Sequence, residues 1–268
     1  MITRLTLLCD NDAAPGLGSE WGWSVALETD TDALWLWDTG NSDLFLENAA
    51  LLDIDPVRAE GLALSHGHYD HTGGLQALLA AGFSGRILAH PHAGAVRYNI
   101  EKSTLKSIGP PVPLPAFEAV QGERELAPGL RMFTDIPRRP GLFQAVRGFS
   151  YDPEGKHLDL VPDDAFLLLE TPQRPVLLLG CCHSGLENSL LHLREQCGLD
   201  RLRAVVGGLH LYRAQEAQWE QTAQALEAFE VRTLACGHCT GHKAADYLER
   251  HLGCEVLRTH AGMRLTFD

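Results

Sequence analysis

The sequence is short of positive charge: 22 lysines and arginines stand against 35 aspartates and glutamates, a formal net charge of −13. Without a basic face, nothing draws the chain onto phosphate backbones or anionic lipid, so neither nucleic acid nor a membrane is expected as partner. Long apolar runs are also missing, none approaching the roughly 18 residues that a membrane span needs. The apolar part of Met1-Ile2-Thr3-Arg4-Leu5-Thr6-Leu7-Leu8 is too short for a signal peptide and has no small-residue cleavage site, so a first β-strand and a cytoplasmic, soluble chain are expected. Seven cysteines make an odd number, and no second CxxC pair accompanies Cys236 and Cys239. Reduced thiols are the simplest reading, and a four-sulfur structural zinc is not expected. A GxSxG elbow, a Walker loop and the full GxGxxG spacing are all absent, Gly207-Gly208 being too little for a dinucleotide site. No internal repeat or low-complexity segment stands out.

At 268 residues and 45% hydrophobic content, the chain can bury a substantial core. β-type runs are predicted at Ile2 to Leu8, Gly22 to Glu28, Leu34 to Trp37, Gly61 to Leu64, Arg86 to Ala89, Ala165 to Glu170, Val176 to Leu179, Ala204 to Val206, Val231 to Ala235 and Met263 to Phe267. Helices are predicted over Asp43 to Leu52, Gly74 to Ala81, Gly185 to Cys197, Ala214 to Phe229 and His242 to His251. This mixture lacks strict βαβ alternation and points to an α+β chain of packed sheets covered by helices. Trp21, Trp23, Trp35 and Trp37 alternate, which reads as core packing. The proline-rich stretch from Glu101 to Pro115 can continue neither helix nor central strand and reads as a long loop, either a lid or a surface excursion.

The chemistry concentrates where Leu62-Ala63-Leu64-Ser65 runs into His66-Gly67-His68-Tyr69-Asp70-His71-Thr72-Gly73-Gly74-Leu75. Residues i and i+2 of extended backbone point to one side, so His66 and His68 can grip one ion, while Asp70 and His71 aim at a second as the chain turns. Gly73 and Gly74 are expected to let that turn be tight. Three imidazoles and a carboxylate crowded at a strand end would repel one another when protonated, and metal relieves this. Further ligands must come from elsewhere, and His183, His210 and His238 each follow an apolar run as the first pair does.

The run from His66 to His71 resembles the signature of the metallo-β-lactamase superfamily. Asp38-Thr39-Gly40, Ser65 to Leu75, Gly180-Cys181-Cys182-His183-Ser184-Gly185, Gly207-Gly208-Leu209-His210-Leu211 and His238-Cys239-Thr240-Gly241 together resemble its 7,8-dihydropterin-6-methyl-4-(β-D-ribofuranosyl)aminobenzene-5′-phosphate synthase-like branch. Glu20-Trp21-Gly22-Trp23-Ser24 is similar too, although that branch usually carries His where Trp21 stands. The resemblance implies an αββα sandwich of two mixed sheets in a single domain over residues 1–268, with an inserted loop or lid around 97–163 where the likeness is weakest. It implies that His66, His68 and His183 hold one metal and that Asp70, His71 and His238 hold the other. Superfamily hydrolases commonly place a bridging aspartate where Gly180-Cys181 stands here. Cys181 or Cys182 is therefore a candidate thiolate bridge, with buried packing as the default. Asp38 is expected to orient a ligand imidazole. Asp70 is also a candidate catalytic group, and His210 is read as a substrate-facing acid or hydrogen-bond donor in preference to a ligand or a core histidine. His90 and His92 are candidates for lining the pocket. His157, His192, His242, His251 and His260 read as surface or capping residues.

Two ions about 3.5–4 Å apart can bring a water's pKa near neutrality and stabilise developing negative charge. The expected reaction is therefore hydrolysis of a small anionic substrate, a phosphoester or another ester, by a hydroxide that two metals activate. Arg138, Arg139, Lys102 and Lys106 are candidates for receiving the anionic group. The branch resemblance implies an alternative, transfer of a pterin-methyl unit onto a ribosyl-aminobenzene phosphate with loss of diphosphate. A third reading is a non-catalytic metal or redox sensor that uses Cys181, Cys182, Cys236 and Cys239, which requires exposed thiols of low pKa. Two divalent ions are expected, zinc first, with manganese or iron also suited to the ligand shell and magnesium poorly matched to five histidines. The oligomeric state is not legible.

Overall fold

A computed structural model describes residues 1–101 and 105–267, so Lys102 lies outside the described residues. In chain order the first strands are β1 (Ile2–Cys9), β2 (Ser24–Thr29), β3 (Leu34–Trp37), β4 (Gly61–Ala63) and β5 (Arg86–Ala89). Next come β6 (Tyr98–Asn99), β7 (Lys106–Ser107), β8 (Glu118–Ala119), β9 (Glu123–Ala127), β10 (Leu130–Phe133) and β11 (Phe149–Ser150). The last are β12 (Phe166–Leu169), β13 (Val176–Leu179), β14 (Ala204–Gly207), β15 (Thr233–Cys236), β16 (Glu255–Arg258) and β17 (Arg264–Thr266). Helices α1 (Leu44–Leu51), α2 (Tyr69–Thr72), α3 (Leu75–Ala80), α4 (Leu186–Cys197), α5 (Glu216–Ala228) and α6 (His242–His251) connect them.

The strands form two seven-stranded mixed sheets, ordered β17-β1-β2-β3-β4-β5-β8 and β16-β15-β14-β13-β12-β10-β9. Each is antiparallel in one half and parallel in the other, with β3, β4, β5 and β8 parallel in the first and β13 to β16 parallel in the second. Side chains alternate along each strand, so every central strand has two apolar faces to bury. Leu5, Leu7, Val25, Leu27, Trp35 and Trp37 meet Leu167, Leu169, Val176, Leu178 and Val206 between the sheets. The opposite face of the first sheet packs Leu36, Leu62 and Leu64 against Phe45 of α1 and Leu75 and Leu78 of α3. That of the second packs Leu177, Leu179, Val205 and Leu234 against Leu190 of α4, Leu226 of α5 and Leu248 of α6. The result is the expected αββα sandwich, and among the described residues no helix is long and apolar enough to cross a membrane.

All ten predicted strands and all five predicted helices are present. Elements that the sequence pattern missed are short or polar. Glu-Arg-Glu-Leu-Ala of β9 lies at a sheet edge, and such edges carry charge to discourage further pairing. The helix α2 spans four residues, too few for a helical period. Within the stretch 97–163, β8 extends the first sheet and β9 and β10 extend the second, while β11, β6 and β7 form a small sheet of their own. Ile108, Phe149 and Val161 give that small sheet its own apolar cluster, with Tyr69 packed against it.

One polar contact ties the sheets together next to the site. Trp37, fully buried, donates from Nε1 to the carbonyl of Leu179 at 3.1 Å. Replacing Trp37 with Phe removes this bond and part of a buried ring. The expected cost is about 2 kcal/mol, seen as a lower midpoint in chemical denaturation.

Candidate metal centre

Every strand that carries a candidate ligand ends at the same rim of the sandwich. Backbone strain marks that rim, because Asp38, Cys182, His210 and His238, which follow β3, β13, β14 and β15, adopt positive φ of 60°, 58°, 48° and 48°. Side chains rarely take this left-handed conformation, and it persists only where surroundings enforce it. Between His66 and His68 the chain has no room for a side chain, since a Cβ on Gly67 would lie 1.8 Å from the carbonyl oxygen of Ala93. The role expected of Gly73 and Gly74 is corrected: both sit in ordinary right-handed backbone. Their need is close approach, with a Cβ falling 2.1 Å from the Asn41 carbonyl oxygen and 2.3 Å from that of Thr39.

The ring nitrogens are sorted by what each faces. His66 Nδ1 lies 2.9 Å from Ser65 Oγ, His71 Nδ1 2.7 Å from Asp38 Oδ2, His183 Nδ1 2.6 Å from the Ala145 carbonyl oxygen and His238 Nδ1 3.2 Å from Asn11 Oδ1. These acceptors assign the ring proton to Nδ1, which leaves each Nε2 lone pair turned inward. His66 Nε2 is 2.9 Å from His68 Nδ1, His71 Nε2 is 3.2 Å from Cys181 Sγ and His238 Nε2 is 3.6 Å from Asp70 Oδ2. Trp21 donates from Nε1 to the same Asp70 oxygen at 2.8 Å. Cys181 is common to three donor sets, each with ligand atoms within 4.8 Å of one another: with His66 and His183, with His71 and His238, and with His210 and Cys239.

Burial holds His66, His68, His183 and His238 well below the usual histidine pKa, and neighbouring positive groups add to this, so these rings are held neutral. Burial pulls His71 the same way, but the Asp38 carboxylate outweighs it and raises His71. Burial likewise raises the Cys181 thiol, helped by the neighbouring Cys239 sulfur. For Cys239 burial works against ionisation, yet hydrogen bonding with Cys181 and the nearby His210 bring its pKa down to about 5.

The nitrogens His68 Nε2, His183 Nε2 and His238 Nε2 are buried without a hydrogen-bond partner. Leaving such groups unsatisfied costs about 1–3 kcal/mol each. Neutral imidazoles whose outer nitrogens are held by carbonyl, carboxylate or amide acceptors are the donor set that divalent metals prefer, so the residues fit the implied ions.

Supports that the sequence did not advertise hold this set in place. Asp38, as expected, orients an imidazole, and it also accepts from Ser65 N at 2.7 Å and Ser65 Oγ at 2.6 Å. Consecutive aspartates then clasp both ligand-bearing loops. Asp163 accepts from Gly67 N at 2.8 Å, between His66 and His68, and Asp164 accepts from Ser184 N at 2.7 Å, beside His183. The fully buried Arg97 neutralises the first of these through a 2.6 Å contact to Asp163, with Asp159 3.2 Å away.

The structure thus brings together His66, His68, Asp70, His71, His183, His238 and Cys181, with His210 at the open side. It separates Cys182, whose side chain joins the apolar cluster under α4. Cys236 packs in that same cluster, so it shares no donor set with Cys239 among the described residues. Cys181, Cys182, Cys236 and Cys239 are each no more than 2% exposed, which argues against the sensor reading. Trp21 corrects the core reading: it precedes β2, is 43% exposed and faces Asp70, whereas Trp23, Trp35 and Trp37 are core. Arg138 is spent on the backbone carbonyls of Leu160 and Val161, Arg139 on Glu195, and Lys106 lies over the Tyr69 ring. His90 pairs with Asp135 and does not line the metal cavity. His192 is buried against Phe133 and Phe166, not a surface residue as expected. Residues that sequence reasoning missed are Asp163, Asp164 and Arg97, while Cys239, named there as a candidate sensor thiol, lies instead in a donor set with Cys181 and His210. The only signal for the aspartates was their place before an apolar strand.

The model of the metallo-beta-lactamase superfamily matches residues 22–238. The chain belongs to the metallo-beta-lactamase superfamily. Within it, the chain is 27% identical over 277 aligned residues to 7,8-dihydropterin-6-methyl-4-(beta-D-ribofuranosyl)-aminobenzene-5′-phosphate synthase of Methanocaldococcus jannaschii, covering 93% of this chain and 90% of that one. It superposes on the crystal structure of a metal-dependent hydrolase of the beta-lactamase superfamily with TM-score 0.86 and 30% identity, over 99% of this chain and 100% of the other. The fold also matches zinc-bound PqqB from Methylobacterium extorquens, TM-score 0.57 at 14% identity, over 98% and 100% of the two chains.

The two halves of this superfamily site should separate by mutation. His183→Ala and His238→Ala are each expected to lower bound metal by about one ion per chain, measured by metal mass spectrometry, while His210→Ala keeps both ions.

Proposed function

We propose that this protein is a metal-dependent hydrolase of a small anionic ester, with phosphoesters the leading class. The observation that carries the reading is the convergence on Cys181 of His66 and His183 on one side and His71 and His238 on the other, with the buried Nε2 atoms of His183 and His238 lacking a hydrogen-bond partner among the described residues. His66, His68 and His183 would hold one ion and Asp70, His71 and His238 the other, with the Cys181 sulfur shared between them. When bound, two divalent ions supply the Lewis acidity that brings water to a reactive state near neutral pH and offsets charge on the reacting group. A shared sulfur favours zinc over harder ions.

The protein's own groups do the rest. Asp38 keeps the proton on His71 Nδ1, and the Ala145 carbonyl does the same for His183, so both rings present a lone pair inward without reorganising. Trp21 fixes the Asp70 carboxylate by donating to one oxygen. His210, with Nδ1 buried and unpartnered, stands where it can hand a proton to a leaving group. The cavity they line is about 370 Å³, suited to a small molecule and walled by Trp21, Phe149 and Tyr212.

A second reading, transfer of a pterin-methyl unit to a ribosyl-aminobenzene phosphate, is favoured by the likeness to the methanogen synthase. The deciding experiment measures metal content on protein purified without added metal. It then assays bis-p-nitrophenyl phosphate, lactones, thioesters and the pterin diphosphate with its aminobenzene acceptor. Chelator-sensitive ester turnover without pterin product is expected. Product from the pterin pair alone would replace the hydrolase reading with the transferase, and absence of bound metal under every condition would overturn both.

A further inference from the structure

A second chamber of about 410 Å³ opens beside the metal cavity. The two share Asn99, Phe149, His210, Tyr212 and Arg213 as lining, so they are compartments of one cleft and not separate pockets. A single phosphoryl or acyl group would fill neither, and ligand sites of a few hundred Å³ usually bury a molecule with several parts.

Charge in the second chamber departs from the rest of the protein. Arg147 and Arg213 both line it, and both contact Glu101, through Arg147 Nε at 2.7 Å and Arg213 Nη1 at 3.1 Å. Two guanidiniums around one carboxylate leave a net positive spot on a chain whose formal charge is −13. Among the described residues each guanidinium makes one hydrogen bond to Glu101, with Arg147 93% exposed and Arg213 also over the Tyr212 ring, so Glu101 holds the two together and their remaining N–H groups can meet a planar anion. Between this spot and the metal cavity the wall is aromatic. Tyr212 is 42% exposed, packs edge-on to Trp21 at 6.0 Å and lies 5.3 Å from the His210 ring, and Phe149 lies 5.1 Å from the His68 ring. The partly exposed Tyr212 ring, beside a Phe149 that is 8% exposed but lines both compartments, suits a flat ring.

We infer that the second chamber is a subsite for the non-reacting end of the substrate: an aromatic or heteroaromatic ring against Phe149 and Tyr212, carrying a phosphate or carboxylate held by Arg147 and Arg213. The inference rests on the hydrolase reading only for which bond is cut, and the subsite can be tested apart from it.

The test uses the metal-loaded enzyme and three mixed phosphodiesters that share a p-nitrophenyl leaving group. Their second arm is benzyl, para-carboxybenzyl or para-phosphonomethylbenzyl, and binding of the three corresponding benzylic alcohols is measured by calorimetry. The anionic arms are expected to raise kcat/KM, and the anionic alcohols to bind more tightly, by about tenfold or more over benzyl, the scale of one charge-assisted contact. The larger gain among the two identifies phosphate or carboxylate as the natural anion. In the double variant Arg147→Ala, Arg213→Ala this preference should collapse, whereas Arg174→Ala, at the opposite end of β13, should retain it. Equal values for all three arms, or a preference that survives in the double variant, overturns the subsite. If no diester is turned over but the alcohols show the preference and lose it in the double variant, phosphodiester cleavage falls and the subsite stands.

Discussion

Four buried imidazoles, those of His66, His71, His183 and His238, converging on the Cys181 sulfur form the constraint on which the rest of this structure depends. Such an arrangement is unfavourable on its own terms, because among the described residues Nε2 of His183 and Nε2 of His238 have no hydrogen-bond partner and are cut off from water. It holds because the outer nitrogens are each tied to a fixed acceptor and because the strand ends that present them belong to two packed sheets. Trp37 and Leu179 join those sheets immediately below the site.

Much of the surrounding architecture maintains that convergence. Left-handed backbone at Asp38, Cys182, His210 and His238 turns each strand end sharply into the rim. Asp163 and Asp164 reach from the segment before β12 to the His66–His68 loop and the His183 loop at once, so one dipeptide sets the distance between two parts of the ligand set. Burying Asp163 is tolerable because Arg97 is buried with it; removing Arg97 would strand the carboxylates of Asp163 and Asp159 in the interior. The chain between β5 and β12 therefore serves the site twice, by clamping its loops and by closing the cleft with Ile108 and Phe149.

The fold was legible in the sequence because its central strands are apolar on both faces and its helices are long enough to show a period. The His66 to His71 run stood out because four candidate ligands fall within six residues, and His183 and His238 because each follows an apolar strand. Cys181 and Cys182 were indistinguishable as neighbours. The left-handed turn at Cys182 is what sends one thiol to the site and the other to the core under α4, and no local pattern encodes it. Trp21 was misread because alternation implies a strand, while the strand starts only at Ser24. Asp163, Asp164 and Arg97 were invisible for a common reason: their partners lie tens of residues away in the chain, and an Asp-Asp pair or a lone Arg looks like solvated surface until the fold encloses it.

The central claim is that Cys181 stands at the junction of the two ligand sets in the place of a bridging carboxylate. X-ray absorption at the metal edge of the loaded protein tests it most directly. The account predicts a sulfur shell around the metal that disappears in Cys181→Ser while nitrogen and oxygen neighbours persist. A first shell of nitrogen and oxygen alone in the unmodified protein, or a sulfur shell unchanged by the substitution, would contradict it.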